Sequence, residues 1–473
     1  MKVVRSLYTN IKSCVSHNST RSENFISLRG VRQGENLSPL LFSLFVNDLE
    51  DYLTEYGCQP ITFADVELDN MLKVMVLMYA DDTILLANSA VELQKSLNAL
   101  QTYCETWQLE VNCAKTKIVI FGKRRMASDK VKFTYNGAEL ELVTEYKYLG
   151  LTISYNGSFK IGVQELHKQA SRAMYALLAK SRKLSLPIDI QLQLFDALVV
   201  PILLYGCEVW GFQNIDCVEK LHRKYLKYIL GVKSSTSNSV IYGELGRYPL
   251  NITIKKRMIS YWIRVHTGKD SKLCHSMLHC LTRMQENKSF SAKWTSSVRS
   301  VLDECGLSNV WSSATPVSTE WLKKAVEQSL KDQFLQSWRQ DLESKSSCDF
   351  YSFCKDTLAL ESYLLLPNRK VSRALCQLRT GNNKLPKITG RYNNIPRKDR
   401  HCTACGKNEV GDEYHLLVEC SHPVIVGARD KHLPKHLLRQ PSVAKCAAWI
   451  KNVSGKSMVS LGNFLLIAIA VFK

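Results

Sequence analysis

The stretch VLMYADDTILLANS, residues 76–89, places two adjacent carboxylates, Asp81 and Asp82, where an apolar run is interrupted. Two short apolar segments around a polar turn predict a β-hairpin with both acids at its tip. Such acids often bind metal ions, and two-metal phosphoryl chemistry normally needs a further carboxylate from a second strand. The sequence therefore raises the question of where that carboxylate lies.

The segments around this hairpin predict an alternation of helices and short strands. Upstream, Ser38-Pro39 is typical of a helix start, with Ser38 as the N-cap, and Gly57 is typical of a helix end. Downstream, Ser89 and Glu92 form a capping box that predicts the next helix. KIVIF (117–121) and YLGLTI (148–153) predict strands. This order favours an α+β unit, with helices and a small antiparallel sheet.

From about residue 160 the pattern becomes helical, and basic residues recur through it. We expect a mostly α-helical region from there toward the C-terminus. A solvated face and a face that grips a nucleic-acid backbone both explain the basic residues. The predicted boundaries divide the chain into residues 1–155, 156–233, 240–390, 396–425 and 426–473.

The charge balance indicates a polyanionic partner. The 473 residues include 63 Lys and Arg against 43 Asp and Glu, which gives a net charge of +20. A nucleic acid fits this charge better than a membrane surface does. A basic soluble protein without such a partner would show the same composition.

The cysteines and the apolar segments indicate an intracellular protein. Most of the 16 cysteines are scattered singly among apolar residues, as buried free thiols are, and do not form a secreted disulfide framework. No apolar signal-peptide core follows Met1. The most apolar segment, FLLIAIAVF (464–472), is shorter than the roughly 20 residues of a membrane-spanning helix and predicts a terminal helix or strand that docks on the body.

Four stretches together go beyond a lone Tyr-Ala-Asp-Asp turn. GVRQGENLSPLLFSLFVNDL lies upstream of the hairpin, LEVNCAKTKIVIF lies downstream, and EYKYLGLTIS follows. In this order and at these distances they resemble the reverse transcriptases of non-LTR (LINE-type) retrotransposons. The resemblance begins at residue 1 and extends, more weakly, to about residue 425. It implies the α+β fold of a right-hand polymerase palm, followed by a mostly α-helical thumb and C-terminal region with a small zinc knuckle. The implied domains are truncated fingers and palm (1–155), helical thumb (156–233), helical C-terminal region (240–390), CCHC zinc knuckle (396–425) and C-terminal tail (426–473).

The resemblance implies roles for the hairpin residues. Asp81 would be the essential ligand of the Mg²⁺ (or Mn²⁺) ions that bridge the primer 3′-hydroxyl and the nucleotide phosphates. Asp82 would lie beside it and tune the site, and Tyr79 would pack at the nucleotide and primer end. A structural role for both acids is the alternative, since Asp pairs are common in turns.

The other matching stretches imply binding residues. Arg32, Gln33 and Gly34 precede a helix N-terminus and would contact the incoming triphosphate and the templating base. Glu35-Asn36 departs from the small or less polar pair that is frequent in the family. Lys115 matches a position proposed to meet or protonate the pyrophosphate, although an ordinary exposed lysine is an equal alternative. The triplet Tyr148, Leu149 and Gly150 resembles the hairpin that grips the primer, and in isolation would be a strand.

A second motif has the spacing of a metal site. Cys402-x2-Cys405-x9-His415-x4-Cys420 fits tetrahedral Zn²⁺, with His415 and Cys420 about one helical turn apart. His401 and His422 lie just outside and are alternative ligands. The cluster resembles the zinc knuckle of the same retroelement proteins. We expect it to contact nucleic acid or to stabilise the local fold, because a four-ligand site leaves no open position for catalysis.

In the polymerases that this chain resembles, the remaining catalytic Asp lies on a strand before the Arg32-Gln33-Gly34 stretch. Residues 1–30 contain no Asp at all, and Asp65 lies after that stretch, in the wrong order. We therefore expect the chain to be the C-terminal portion of a retroelement protein, with the first catalytic Asp strand, most of the fingers and any preceding endonuclease absent. Loss of one metal-binding acid should cripple nucleotide addition.

The leading hypothesis is an RNA-directed DNA polymerase that uses an RNA template, a DNA primer or target and deoxynucleoside triphosphates, with no membrane partner. The alternative is a catalytically inactive nucleic-acid-binding remnant of a retroelement. A group-II-intron-type maturase is a weaker third hypothesis, because the knuckle and the helical C-terminus favour the LINE assignment. The need for chromosomal target DNA places the expected action in the nucleus, after cytoplasmic RNA–protein assembly.

Overall fold

The computed structural model describes residues 2–18, 20–27, 30–32, 34–64, 71–122, 131–213, 215–268, 272–286, 292–312 and 318–472. Helices and short strands are mixed, which confirms the α+β class. The chain divides into two compact units, Met1–Tyr146 with Ser154–Gly157, and Lys147–Ile153 with Ser158–Lys473. The finer domain boundaries predicted within the second unit stay predictions.

The first unit contains four helices and most of the strands. The helices are α1 (Lys2–Leu7), α2 (Ser38–Phe45), α3 (Leu49–Glu55) and α4 (Ala90–Trp107). The early strands are β1 (Lys12–Ser13), β2 (Ser16–His17), β3 (Thr20–Arg21), β4 (Phe25–Ile26), β5 (Ile61–Ala64), β6 (Met71–Val74), β7 (Val76–Tyr79) and β8 (Asp82–Leu85). The later strands are β9 (Lys117–Ile118), β10 (Phe133–Tyr135), β11 (Ala138–Leu142), β12 (Glu145–Tyr148) and β13 (Leu151–Ser154), the last two of which cross the unit boundary.

The strands do not form the single small antiparallel sheet that the sequence predicts. Among the described residues they form six sheets, of which five are pairs: β1–β4, β2–β3, β5–β6, β7–β8 and β12–β13. The sixth is β10–β11–β9, in which β11 runs antiparallel to β10 and parallel to β9. Met75, between β6 and β7, binds the Leu86 N–H through its carbonyl and separates the two neighbouring pairs.

The helix predicted from Ser38 to Gly57 is two helices. Ser38 is the first helical residue rather than the N-cap, because its hydroxyl donates to the Arg32 carbonyl at 2.5 Å. The chain turns after α2, where the Leu49 N–H binds the Val46 carbonyl. Gly57 does end α3, with a left-handed φ of +84° that favours glycine.

Two other predicted elements are shorter than expected. The strand predicted over 117–121 is limited to β9, and the segment predicted over 148–153 contains a turn at Leu149-Gly150. Both turn residues have positive φ, +45° and +84°, which an extended strand does not allow. The capping box at Ser89 is half formed, since the Ser89 hydroxyl accepts the Glu92 N–H at 3.2 Å while the Glu92 carboxylate accepts the Gln59 N–H.

The core of the first unit anchors the base of the β7–β8 hairpin. Leu53, Met75 and Tyr103 are buried in one cluster from α3, the segment before β7, and α4. Val76 and Leu85, at the open ends of the hairpin, pack against that cluster. The base of the hairpin is therefore fixed while its tip projects toward solvent.

The second unit is mostly helical. Its first helices are α5 (Lys160–Lys183), α6 (Ile188–Leu198), α7 (Val200–Leu203), α8 (Cys207–Trp210), α9 (Ile215–Leu230), α10 (Asn238–Glu244) and α11 (Leu250–His266). They are followed by α12 (Lys272–Glu286), α13 (Lys293–Glu304), α14 (Ser308–Ser312), α15 (Thr319–Ser344), α16 (Asp349–Cys354), α17 (Arg369–Arg379) and α18 (Pro386–Tyr392). The last are α19 (Pro423–His432), α20 (Val443–Asn452) and α21 (Gly455–Ala468).

One large core joins the first helices of the second unit to its C-terminal helices. Phe195, Trp210, Leu375 and Phe464 belong to the same buried cluster. The apolar C-terminal segment is helical through α21, which packs against α17 and α19. None of the described helices is long and apolar enough to cross a membrane.

Candidate functional site

The two acids lie at the tip of the β7–β8 hairpin. Tyr79 pairs with Asp82 across the strands, and Ala80-Asp81 forms the turn between them. Asp81 and Asp82 are both exposed, and Tyr79 is 65% exposed. Neither carboxylate has a hydrogen bond or an ion pair within the described part of the chain. Both are therefore open to an external cation or ligand.

The turn has a strained residue beside the acids. Ala80 has a φ of +53°, a left-handed conformation that costs a residue with a Cβ roughly 1–2 kcal/mol. Strain of this kind persists where the surrounding structure over-determines it, and it clusters at functional sites. Here the paired strands and their anchored base hold it.

The acids alone do not complete a two-metal site. Asp and Glu oxygens are the donors that Mg²⁺ prefers, so the chemistry of the pair fits. In the residues that the structure describes, however, no group of three or more potential ligands includes Asp81 or Asp82. Asp65 lies outside the described residues. The donor set is therefore partial.

Arg32 forms an ion pair with Glu35, one of the two residues at which the chain departs from the family pattern. Its guanidinium donates to Glu35 Oε1 at 2.8 Å and to the Leu7 carbonyl at 2.8 Å. The hydrogen bond from Arg32 and another from Tyr8 hold the pKa of Glu35 below its usual range. Arg32 is therefore held in place by Glu35, and no ion pair with the hairpin acids is formed in the described structure.

The remaining nucleotide-binding candidates are less informative. Gly34 has a φ of +89° and open space around its Cα, so the backbone there can approach a ligand closely. Gln33 lies outside the described residues. Lys115 is exposed in the turn after Asn112, whose side chain accepts the Lys115 N–H at 3.1 Å. Its ammonium group forms no ion pair with Asp81 or Asp82 in the described structure.

The Leu149-Gly150 turn has a support that sequence reasoning missed. The Tyr205 hydroxyl donates to the Leu149 carbonyl at 2.8 Å, and a Cβ added at Gly150 would lie 3.2 Å from the Tyr205 ring. Gly150 is therefore required both by its φ of +84° and by the ring above it. Tyr205 lies in the stretch LLYGC, 55 residues after Gly150, and no sequence pattern connects it with the turn.

The structure brings together the four residues of the second motif. One ligand atom from each of Cys402, Cys405, His415 and Cys420 lies within 4.8 Å of the others. The Cys402 and Cys420 sulfurs are 3.9 Å apart, and Cys405 Sγ lies 3.4 Å from His415 Nε2. His401 and His422 lie outside this group. Three sulfurs and one ring nitrogen converging in this way match the donor set of a tetrahedral zinc site.

The local backbone explains the convergence. The Cys402 N–H binds the Glu409 carbonyl, which closes a small loop around Cys405. His415–Glu419 is a single π-helical turn, in which the Cys420 N–H binds the His415 carbonyl at 2.8 Å. The predicted spacing of one helical turn is thus a wider i→i+5 turn, a form that is frequent at functional sites.

Neighbouring groups orient the ligands. The Asp412 side chain accepts the His415 N–H at 2.9 Å, and His415 Nδ1 lies 3.4 Å from the Glu419 carboxylate. A carboxylate behind a histidine fixes the ring and its tautomer for metal binding through the other nitrogen. Arg429 donates to the Cys420 carbonyl at 3.1 Å.

The pKa values of the Cys405 and Cys420 thiols are shifted by burial and by neighbouring groups. Burial raises the pKa of Cys405, but hydrogen bonds from the Lys407 backbone and from His415 outweigh it and lower the pKa to about 6. Burial, and then the charges of Cys402 and Cys405, raise the pKa of Cys420 to about 12. Several thiolates in this space repel one another, and a bound divalent cation would relieve that repulsion. The residues therefore fit a zinc ion.

Comparison with known proteins identifies the region around the hairpin. A model of the family described as reverse transcriptase (RNA-dependent DNA polymerase) matches residues 1–153. Residues 1–153 therefore match the sequence pattern of a reverse transcriptase domain. They include the Tyr-Ala-Asp-Asp turn, the Arg32-Gly34 stretch and the Leu149-Gly150 turn.

The relatives of this reverse transcriptase domain come from mobile elements. The chain is 29% identical over 214 residues to the RNA-directed DNA polymerase from mobile element jockey of Drosophila melanogaster (43% of this chain, 22% of that protein). It is 30% identical over 242 residues to the jockey polymerase of Drosophila funebris (49% and 25%). It is 26% identical over 276 residues to the retrovirus-related Pol polyprotein from type-1 retrotransposable element R2 of Popillia japonica (54% and 42%).

These matches confirm the resemblance to non-LTR retrotransposon reverse transcriptases. The matched region spans between about a fifth and two fifths of the length of these three relatives. The activity of the whole relatives is therefore a matter of proposal for this chain.

Proposed function

We propose that the chain is the reverse transcriptase module of a non-LTR retrotransposon protein, and that Asp81 and Asp82 form part of its nucleotidyl-transfer site. The observation that supports this most is the exposed Asp81-Asp82 pair on a strained, anchored hairpin within a reverse transcriptase domain. The substrates would be an RNA template, a DNA primer or target end, and deoxynucleoside triphosphates. Its place of action would be the nucleus, where chromosomal target DNA lies.

The chain's own residues would divide the work as follows. Asp81 and Asp82 would supply oxygen ligands for Mg²⁺ or Mn²⁺, which lowers the barrier by activating the primer 3′-hydroxyl and neutralising the pyrophosphate. The exposed ring of Tyr79 would pack beside the nucleotide and the primer end. The Leu149-Gly150 turn, supported by Tyr205, would hold the primer strand.

Among the described residues, only Asp81 and Asp82 supply oxygen ligands at the hairpin tip, and a complete two-metal site needs more than these two side chains provide. This observation favours the second candidate, in which the chain by itself binds nucleic acid without extending a primer. The basic helices and the Cys/His cluster would then be its active parts. We propose that Cys402, Cys405, His415 and Cys420 bind one Zn²⁺ that stabilises the C-terminal region and its contact with nucleic acid.

Primer extension separates the two candidates. The full chain is incubated with an RNA template, an annealed DNA primer, deoxynucleotides and Mg²⁺, and compared with Asp81→Ala and with Asp51→Ala, which removes an exposed acid of α3 in the same unit. Extension that needs Mg²⁺, is lost in Asp81→Ala and persists in Asp51→Ala supports the polymerase. Salt-sensitive binding of the primer–template without extension, unchanged in Asp81→Ala, supports the binding module. Extension that persists in Asp81→Ala contradicts the role given to that residue.

A further inference from the structure

Three segments of the second unit contain no acidic residue. They are residues 166–188, 220–243 and 362–398, and together they include 19 of the 63 Lys and Arg of the chain. Most of these cations are exposed, among them Arg182, Lys224, Lys233 and Arg391. Arg379, Lys387 and Arg397 are paired with carboxylates from other parts of the second unit. The remaining exposed cations form a local excess of positive charge that suits a polyanion.

Each of these segments contributes to pairs of an exposed tyrosine and a cation. Lys224 Nζ lies 5.3 Å from the Tyr175 ring centroid, and the Arg182 guanidinium lies 5.9 Å from the Tyr228 ring centroid. Lys233 Nζ lies 4.5 Å from the Tyr392 ring centroid. The rings are 50%, 46% and 56% exposed, so each has a large area open to a ligand.

The first two pairs both lie between α5 and α9. Tyr175 and Arg182 are two turns apart on α5, and Lys224 and Tyr228 are one turn apart on α9, so the first two pairs are spaced by roughly 6–10 Å. The third pair follows directly after the end of α9. There the Lys233 N–H and the Thr236 hydroxyl both donate to Asn382 Oδ1, at 2.9 and 3.0 Å, which fixes the loop after α9 against the segment that leads to α18.

The fold encloses these rings less than it encloses neighbouring tyrosines. Tyr225 and Tyr242, close in sequence, are 0% and 5% exposed and bind Gln191 and Glu219 through their hydroxyls. Tyr175, Tyr228 and Tyr392 leave about half of their surface in solvent instead. Exposed aromatic side chains with cations beside them are the composition of a base-stacking surface.

We infer that Tyr175, Tyr228 and Tyr392, with Lys224, Arg182 and Lys233, form a track that binds single-stranded nucleic acid by stacking of bases and neutralisation of phosphates. The inference rests on the proposed function, because it names the form of nucleic acid that this surface takes. A single strand fits better than a duplex, since the faces of paired bases are covered by their neighbours in a stacked helix. A strand on this track would run from α5 and α9 toward α18, which precedes the Cys/His cluster.

Fluorescence anisotropy with the full chain tests the track, using a labelled 20-nucleotide oligothymidylate and a 20-base-pair duplex as probes. The test variant is Tyr175→Leu/Tyr228→Leu/Tyr392→Leu. Its matched control is the triple Phe variant, which keeps the rings, and Trp321→Leu removes an exposed aromatic of α15 outside the track. Urea unfolding of each variant checks that the fold is retained, and the single Tyr392→Leu variant replaces the triple one if the latter unfolds.

We expect the triple Leu variant to bind the oligothymidylate about a hundredfold more weakly than the parent, because each stacked base contributes at least about a fivefold effect. The salt dependence should not change, since no charge is removed. The Phe variant and Trp321→Leu should bind like the parent, and an abasic strand of equal length should not distinguish the Leu variant from the parent. The single Tyr392→Leu variant should bind the oligothymidylate about fivefold more weakly than the parent.

Two results would overturn the track. One is a Leu variant that binds the oligothymidylate within twofold of the Phe variant. The other is an equal loss of affinity for the duplex, which would make the surface a duplex-binding one. Either result leaves primer extension by the parent as the separate test of the proposed function, whereas a parent that binds neither probe overturns the nucleic-acid role as a whole.

Discussion

The Asp81-Asp82 hairpin and the Cys/His cluster are both short motifs, yet they are built in opposite ways. The acids are exposed, Asp81 in the turn and Asp82 at the start of β8, and their described surroundings offer no further ligand. Cys402, His415 and Cys420 are buried and converge from within 19 residues. The cluster gains its geometry from its own loop, while a polymerase site gathers ligands from distant strands. A local motif can therefore be judged from one segment of chain, and a distributed site cannot.

The largest effect is expected for the cluster itself. Cys402→Ser should reduce bound zinc from one ion per chain to less than one, and should weaken the residual binding by more than about a hundredfold, because even the outer partners of metal ligands are worth 10–100-fold. Competition with a chromophoric chelator measures both. Cys14→Ser removes an exposed cysteine and should leave binding unchanged. Equal zinc affinity in both variants would contradict the assignment of the ligands.

The next effect concerns a buried ion pair in the second unit, between Arg379 and Glu244. Arg379 is 3% exposed and donates to Glu244, which is fully buried, at 3.0 Å. Arg379→Met should lower the free energy of unfolding by about 3–5 kcal/mol, because it leaves the Glu244 charge buried without its partner. Urea denaturation compares it with Arg373→Met, which removes an exposed arginine of the same helix, α17. A loss no greater than that of Arg373→Met would show that Glu244 is satisfied without Arg379.

A smaller effect depends on pH. His222 is fully buried, and burial lowers its pKa below the usual 6.5, against the opposing effect of Glu219. Neither ring nitrogen has a hydrogen-bond partner among the described residues, since Glu219 Oε2 lies 3.8 Å away. The folded state therefore keeps the ring neutral while the unfolded state binds a proton below pH 6.5. Stability falls as the pH drops from 6.5 toward the lowered pKa.

One such proton gives a slope of about 1.4 kcal/mol per pH unit. His222→Phe should remove this contribution to the fall in stability as the pH drops below 6.5, and the exposed His436→Phe should not. Urea midpoints across this range decide the matter. A parent and a His222→Phe variant with the same pH dependence would show that folding does not lower the pKa of His222.

Sequence patterns predict the local features of both regions well. The hairpin, the helix after Ser89, the helical region from about residue 160 and the grouping of Cys402, Cys405, His415 and Cys420 all follow from neighbouring residues. What the sequence misses depends on tertiary contacts. Ser38 binds the Arg32 carbonyl instead of capping α2, Arg32 is held by Glu35, and Tyr205 supports a turn 55 residues away. None of these partners is marked by periodicity or by a motif.

The smallest expected effect is the change in stability of Asp81→Ala, which is the control needed to interpret its primer extension. Asp81→Ala should leave the urea midpoint of the chain unchanged, because the side chain is exposed and forms no hydrogen bond or ion pair in the described structure. Ala80→Gly should raise the midpoint slightly, since glycine adopts the φ of +53° without the steric cost. A clear shift in Asp81→Ala would mean that the carboxylate stabilises the hairpin, and loss of primer extension could then reflect folding. An unchanged midpoint assigns any such loss to the chemistry of the carboxylate.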